Sequence, residues 1–176
     1  PIPSGELATS LSAARSELWL PRAALSSCLR GVMSRDTRGV ALAEGDRYNH
    51  FPDTPVCSLV WYFSGDAEVL DPHRPAAPDT PGRPLPDRIT FCGPFNRPVI
   101  SRNPGPMHAM MLMLMPDALG QLTGLDPGAF LNRVVPAGDV LDPAWMAMCR
   151  AVDVAPDDAA RVALIDEFLA PLWRQR

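Results

Sequence analysis

The fold of this chain is decided by the apolar stretch MHAMMLMLM, residues 107–115. Because the stretch is apolar without alternation, periodicity alone leaves a buried strand and a buried helix open. Its short length and the flanking prolines, Pro106 and Pro116, favour a strand. We predict a strand buried on both faces, one looking into a barrel and the other toward packing helices.

Helix-start signals follow this strand. Proline stands at the first helical position in Pro116, Asp126-Pro127 and Asp142-Pro143, where its missing N–H costs nothing. Gly124 suits the end of the first helix, and the last helix should start near Asp157-Asp158. Strands therefore come first and helices last, which predicts the α+β class.

The best strand candidate upstream is residues 56–63, VCSLVWYF, which is β-branched and aromatic between turn signals. With a period of two, one of its faces holds Cys57, Leu59, Trp61 and Phe63. Other candidate strands cover residues 27–36, 88–93 and 98–102. Residues 71–86 contain six prolines and predict an exposed, extended loop.

Composition excludes several classes of function. The chain has 176 residues and a net charge of −4, with arginine but no lysine and no basic cluster, so direct contact with nucleic acid is not expected. No apolar run approaches the ~18 residues of a membrane span. The four cysteines, Cys28, Cys57, Cys92 and Cys149, form no CxxC pair, so buried free thiols are expected.

Three stretches carry a resemblance to a known family. Asn49–Pro55 leads into Leu59–Gly65, Phe91–Pro94 makes a Gly-Pro turn between strands, and Met107–Leu141 combines a buried strand, a proline-started helix and a Pro-Ala-Gly-Asp turn. In this order and spacing, over roughly residues 20–150, they resemble the N-terminal sensor domain of AraC-type bacterial transcription regulators.

The resemblance implies a domain organisation. Residues 1–20 would form an N-terminal arm, and residues 21–115 a cupin-like antiparallel β-barrel. Residues 116–176 would form a helical segment leading to a C-terminal helix-turn-helix domain that this chain lacks. The fold class expected is thus α+β, a cupin-like barrel followed by C-terminal helices.

The function implied is regulatory. The domain would bind a small-molecule effector, form a homodimer and control a separate DNA-binding domain, so that DNA is a partner only through that domain. We expect a cytoplasmic protein without membrane contact, without a cofactor and without enzymatic activity.

An effector pocket inside the barrel would need apolar walls and a few polar contacts. The candidate ligand-binding residues are Arg47, Tyr48 and His50 for polar contacts, with Trp61, Phe63, Phe91, Met111 and Met113 for the walls. The alternative is that the same side chains simply fill the barrel.

The final helix carries an apolar stripe at helical spacing, formed by Val162, Ile165, Phe168, Leu169 and Leu172. This stripe is the candidate dimerisation surface. The alternative is that it packs on the chain's own barrel.

Two other function classes remain open. A stand-alone cupin-like metalloenzyme would need clustered imidazole and carboxylate ligands, yet the chain has only His50, His73 and His108, and no His-x-His pair. A ligand-free assembly module is the second alternative. The chain has neither a Gly-x-Ser-x-Gly elbow nor a Gly-rich phosphate loop, so no catalytic residue and no metal ligand is nominated.

Overall fold

The computed structural model describes residues 14–71, 73–74 and 76–174. These residues form two antiparallel sheets and three α-helices, so the α+β class is confirmed. The strands, in chain order, are β1 (Arg15–Trp19), β2 (Leu29–Asp36), β3 (Tyr48–Phe51), β4 (Cys57–Ser64), β5 (Glu68–Leu70), β6 (Gly82–Pro84), β7 (Ile89–Cys92), β8 (Val99–Arg102), β9 (His108–Leu114) and β10 (Val134–Pro136).

The larger sheet has the strand order β1-β2-β9-β4-β7-β10, and the smaller has the order β3-β8-β5-β6. The apolar stretch that opens the helical half of the chain is β9, a central strand flanked by β2 and β4. Met111 lies opposite Val60 of β4 and Met33 of β2, whereas Met110 lies opposite Trp61. The prediction of a strand at residues 107–115 is confirmed.

The helices begin where their start signals stand. They are α1 (Pro116–Thr123), α2 (Pro143–Val154) and α3 (Asp158–Arg174). The carboxylate of Asp142 accepts hydrogen bonds from the first backbone N–H groups of α2, and the carboxylate of Asp157 accepts one from Ala160. Gly124 ends α1 at a φ of 74°, a left-handed conformation that glycine adopts without strain.

The main core lies between one face of the larger sheet and the helices. Leu112 and Trp61 of the sheet, Trp145 of α2, and Ile165 and Leu169 of α3 are each at most 1% exposed. The indole of Trp61 donates a hydrogen bond to the backbone carbonyl of Cys149 at 3.1 Å, which joins β4 to α2. We call this side of the larger sheet the helix face.

The described helices include none with the length and apolarity that crossing a bilayer demands.

Two of the predicted segments contain strands of the larger sheet. Residues 15–19, expected in the N-terminal arm, form the edge strand β1, and residues 1–13 of that arm lie outside the described residues. Residues 134–136, expected in the helical segment, form β10 and pair with β7. Strand pairing within the described ranges gives two separate sheets and no closed barrel.

The stripe on α3 packs within its own chain. Ile165 and Leu169 are fully buried, while Val162, Phe168 and Leu172 are half-buried against the same core. The ring of Phe168 contacts that of Trp145 edge-on, with centroids 5.1 Å apart. The nomination of Val162, Ile165, Phe168, Leu169 and Leu172 as a dimer surface is therefore corrected for Ile165 and Leu169, which the chain's own core buries, and stays a prediction for the other three.

Candidate functional site

A cavity of about 450 Å³ separates the two sheets. Its walls come from the side of the larger sheet that faces away from the helices, which we call the cavity face, and from β3, β5 and β8 of the smaller sheet. The wall is mainly apolar, and its strand residues include Phe51, Val60, Val69, Val99, Met111 and Met113. A cavity of this size and lining is typical of small-molecule sites.

The cavity face follows directly from the two-residue period of the strands. On β4, Ser58, Val60 and Tyr62 line the cavity, while the residues between them point to the helix face. On β7, Thr90 and Cys92 line it, and they pair across the sheet with Val60 and Ser58. Alternate residues of the same strands thus belong to the core and to the cavity.

The rim of the cavity is formed by the loop from Pro52 to Val56. Thr54 and Phe95 exchange backbone hydrogen bonds of 2.8 and 2.9 Å, which tie this loop to the turn after β7. That turn contains Gly93, where an added Cβ would lie 1.9 Å from the carbonyl oxygen of Phe130. Only glycine permits this close approach, which positions the Phe95 side of the rim.

Polar groups in the cavity are few and mostly neutral. The hydroxyl of Thr90 is 1% exposed and has no hydrogen-bond partner among the described residues. Ser101 accepts a hydrogen bond from the side-chain amide of Asn49 at 3.3 Å. Burial raises the pKa of the Cys92 thiol to about 11, outweighing the neighbouring Ser58 and Thr90 hydroxyls, so this thiol stays protonated at neutral pH.

Ionised side chains occur only at the rim. Among the described residues that line the cavity, Arg30 and Asp53 are the ones charged at neutral pH, and both are exposed. Arg30 stands at the bulge where the register of β2 with β9 shifts between Leu29 and Gly31. The interior of the cavity is therefore apolar with neutral hydrogen-bonding groups, and charge is confined to its mouth.

Met111 and Met113 are the nominated ligand-binding residues that line the cavity. Trp61, Phe63 and Phe91 lie on the helix face instead, because they alternate with the cavity residues Val60, Tyr62 and Thr90. Their proposed role as pocket walls is therefore corrected. A two-residue period shows which residues share a face, but it does not indicate which face the helices cover.

The nominated polar contacts also lie elsewhere. Arg47, Tyr48 and His50 are absent from the cavity wall, and His50 is exposed on β3. The phenol of Tyr48 donates to Glu44 at 2.8 Å, and the Arg47 guanidinium donates to the Pro104 carbonyl. On β3 the residue that faces the cavity is their neighbour Phe51.

Sequence reasoning missed all the hydroxyl-bearing residues of the cavity wall, including the small strand residues Ser58, Thr90 and Ser101. The signal available was their position: small polar residues at alternate places in otherwise apolar strands, opposite the aromatic face. A polar residue between buried apolar ones indicates either a solvent-exposed face or a polar point in an interior.

A second polar cluster lies on the helix face, where β2 and β9 meet α3. The carboxylate of Asp158 accepts hydrogen bonds from Ser34 at 2.5 Å and Arg161 at 2.6 Å, and lies 3.0 Å from Nε2 of His108. Burial by itself would raise the pKa of Asp158, but the three hydrogen bonds outweigh burial and hold the pKa below its ordinary value of 3.8.

Arg161 connects this cluster to the end of α2. Its guanidinium donates to the carbonyls of Val152 and Ala155 at the C-terminal end of α2, and stacks 3.7 Å from the ring of Phe63. Ser34 donates to Asp158 rather than to His108, so the cluster lacks the nucleophile–base contact that a catalytic triad requires. Its chemistry is that of a structural bridge.

The histidines do not come together. His108 is buried against Asp158 on the helix face, whereas His50 is exposed on the smaller sheet and His73 on the proline-rich segment. Over residues 14–71, 73–74 and 76–174, no group of three or more His, Cys, Asp or Glu side chains is placed to hold a metal ion.

Comparison with known proteins adds little. No family model and no curated protein matches the chain. One solved structure, "Crystal structure of GK1651 from Geobacillus kaustophilus", is similar at 18% sequence identity with a TM-score of 0.34. The similarity covers 61% of this chain and 41% of that one, so the chain spans less than half of that protein's length.

Proposed function

We propose that this domain binds a small molecule between its two sheets and forms the sensor and dimerisation half of an AraC-type transcription regulator. DNA recognition would belong to a separate C-terminal domain outside this chain. The observation that carries the proposal is the 450 Å³ cavity, with its apolar wall and a few neutral polar groups.

The cavity supports a binding site over a filled interior. Side chains that merely filled the space between the sheets would pack at the density of a protein core and leave no such volume. The two sheets face one another across the cavity, and we propose that they correspond to the two halves of an open cupin-like barrel. The family assignment itself rests on the sequence resemblance.

The position of β9 supports a regulatory mechanism. Met111 and Met113 line the cavity, and the intervening Leu112 packs under the helices. A ligand that contacts the methionines differently in two arrangements of the helices would shift the population toward one of them. The tethered DNA-binding domains would then be held in one relative placement.

Small-molecule binding is tested by a thermal-shift screen with a cavity-filling variant. A ligand at a hundred times its Kd should raise the Tm of the wild-type protein by about 5–10 °C. Val60→Trp places an indole in the cavity and should abolish that shift. Val154→Trp, the same substitution at a position that is 80% exposed on α2, should retain it.

Two outcomes would contradict the proposal. If no compound of a broad library stabilises the protein, or if V60W and V154W respond alike, the cavity is not the binding site. The regulator assignment is tested separately by measuring whether the full-length gene product binds DNA with an affinity that the stabilising compound changes. Stabilisation by a compound without any DNA binding would support a ligand-binding domain and contradict the assignment as a transcription regulator.

A further inference from the structure

The polar groups of the cavity restrict the chemistry of its ligand. Arg30 and Asp53 carry charge only at the exposed rim, while the more buried wall offers the hydroxyls of Ser58, Tyr62 and Thr90 and a protonated thiol at Cys92. A carboxylate or ammonium group placed deep in this cavity would lose its hydration and gain no counterion. The interior therefore disfavours charged groups.

One of these groups is left without a partner. Thr90 is 1% exposed, and its hydroxyl has no partner at normal hydrogen-bond geometry in the described part of the chain; the Cys92 thiol, whose pKa this hydroxyl lowers, is only a weak hydrogen-bonding group. Ser101, by contrast, already accepts a hydrogen bond from Asn49. A buried hydroxyl without a partner costs free energy, which a ligand group bonded to it would recover.

From these two observations we propose that the cavity selects an uncharged, mainly apolar molecule whose single hydroxyl or carbonyl group bonds to the Thr90 hydroxyl. The volume of 450 Å³ accommodates about fifteen groups the size of a water molecule, at about 30 Å³ each. This inference rests on the proposed small-molecule function and specifies the class of ligand.

The test uses the intact domain and a fluorescent uncharged probe, N-phenyl-1-naphthylamine, whose affinity is titrated directly for each variant. 1-Octanol and octanoate then compete for the probe at pH 7.5, where they share a chain length and differ in charge. We expect octanol to displace the probe at a concentration at least tenfold lower than octanoate does.

Thr90→Val removes the hydroxyl and keeps the shape of the side chain. This variant should bind octanol about three- to tenfold more weakly, which corresponds to the loss of one hydrogen bond, and should bind octanoate with unchanged affinity. Thr123→Val, which removes a hydroxyl of α1 outside the cavity wall, should change the affinity for neither competitor.

The outcomes separate this inference from the proposed function. If the probe does not bind and neither competitor raises the Tm, small-molecule binding itself fails. If the probe binds but octanoate competes as well as octanol, or neither competes, the ligand class is overturned while binding in the cavity stands. If T90V keeps the full preference for octanol, the role of Thr90 is overturned.

Discussion

The two faces of the larger sheet are built from the same strands and serve different ends. On the helix face, Leu112 and Trp61 are fully buried against the helices. On the cavity face, their neighbours Met111 and Val60 border open volume, and Thr90 leaves a hydroxyl without a partner among the described residues. One face is closely packed and the other is not.

The comparison shows how a short chain combines stability with a binding site. Because successive side chains of a strand point to opposite faces, each strand contributes to the core and to the cavity at once. The close packing of the helix face stabilises the sheet while the cavity face stays incompletely filled. Stability and binding can therefore be separated by substitutions at adjacent positions.

The largest difference is expected between neighbours on β9. Leu112→Ala should destabilise the domain by about 3–5 kcal/mol, since Leu112 is fully buried and its loss leaves a void. Met111→Ala should cost only about 1 kcal/mol, because Met111 already borders empty space and loses fewer contacts. Urea unfolding followed by circular dichroism measures both. Equal losses would show that the cavity face is packed as tightly as the helix face.

A smaller effect is expected from Asp158→Asn on the helix face. This substitution should lower the free energy of unfolding by about 2–4 kcal/mol, because it leaves the buried Arg161 without its charged partner. Asp153→Asn, at an exposed position of α2, is the control and should change stability by less than about 0.5 kcal/mol.

The same pair of variants tests the pH dependence. The pKa of Asp158 in the folded chain lies below its ordinary value of 3.8, so its contribution is complete above that pH. The contribution is lost as pH falls through the folded-state pKa. The stability advantage of the wild-type protein over D158N should therefore shrink as pH is lowered below about 4. An advantage that is constant down to pH 2.5 would contradict a lowered pKa.

The smallest effect is expected from Thr90→Val on the cavity face in the absence of ligand. Removing a buried hydroxyl that lacks a described partner should stabilise the domain by about 0.5–1 kcal/mol. Thr123→Val should destabilise it by a similar amount, because the Thr123 hydroxyl donates to the Leu119 carbonyl at 2.7 Å. A loss of stability in T90V would show that its hydroxyl is satisfied in the free protein.

Much of the fold could be predicted from local signals. The flanking prolines identified β9 as a strand, and proline after an N-capping aspartate placed the start of α2. These signals depend only on neighbouring residues, so the sequence alone is enough to predict the elements that they start or end. One face of β9 packs under the helices, as predicted, whereas the other face, which was expected to look into a barrel, borders the cavity between two separate sheets.

The remaining elements depend on partners distant in sequence. Residues 82–84 form β6 within a proline-rich segment because β6 is an edge strand, where the missing N–H of Pro84 need not face a neighbour. The short strand β1 has no period of its own and exists through its pairing with β2. The site was misassigned for a related reason: alternation groups Trp61 with Phe63 but does not identify what covers them.

Arg161 has a consequence for how the chain folds. One guanidinium bonds to the end of α2 and to the first residue of α3 and lies on a ring of β4, so a single side chain links both helices to the sheet. Residues on both sides of position 115, where the barrel was expected to end, belong to one buried core. Sheet and helices should form a single cooperative unit, and a fragment that stops before α1 would expose Trp61 and Leu112 to water.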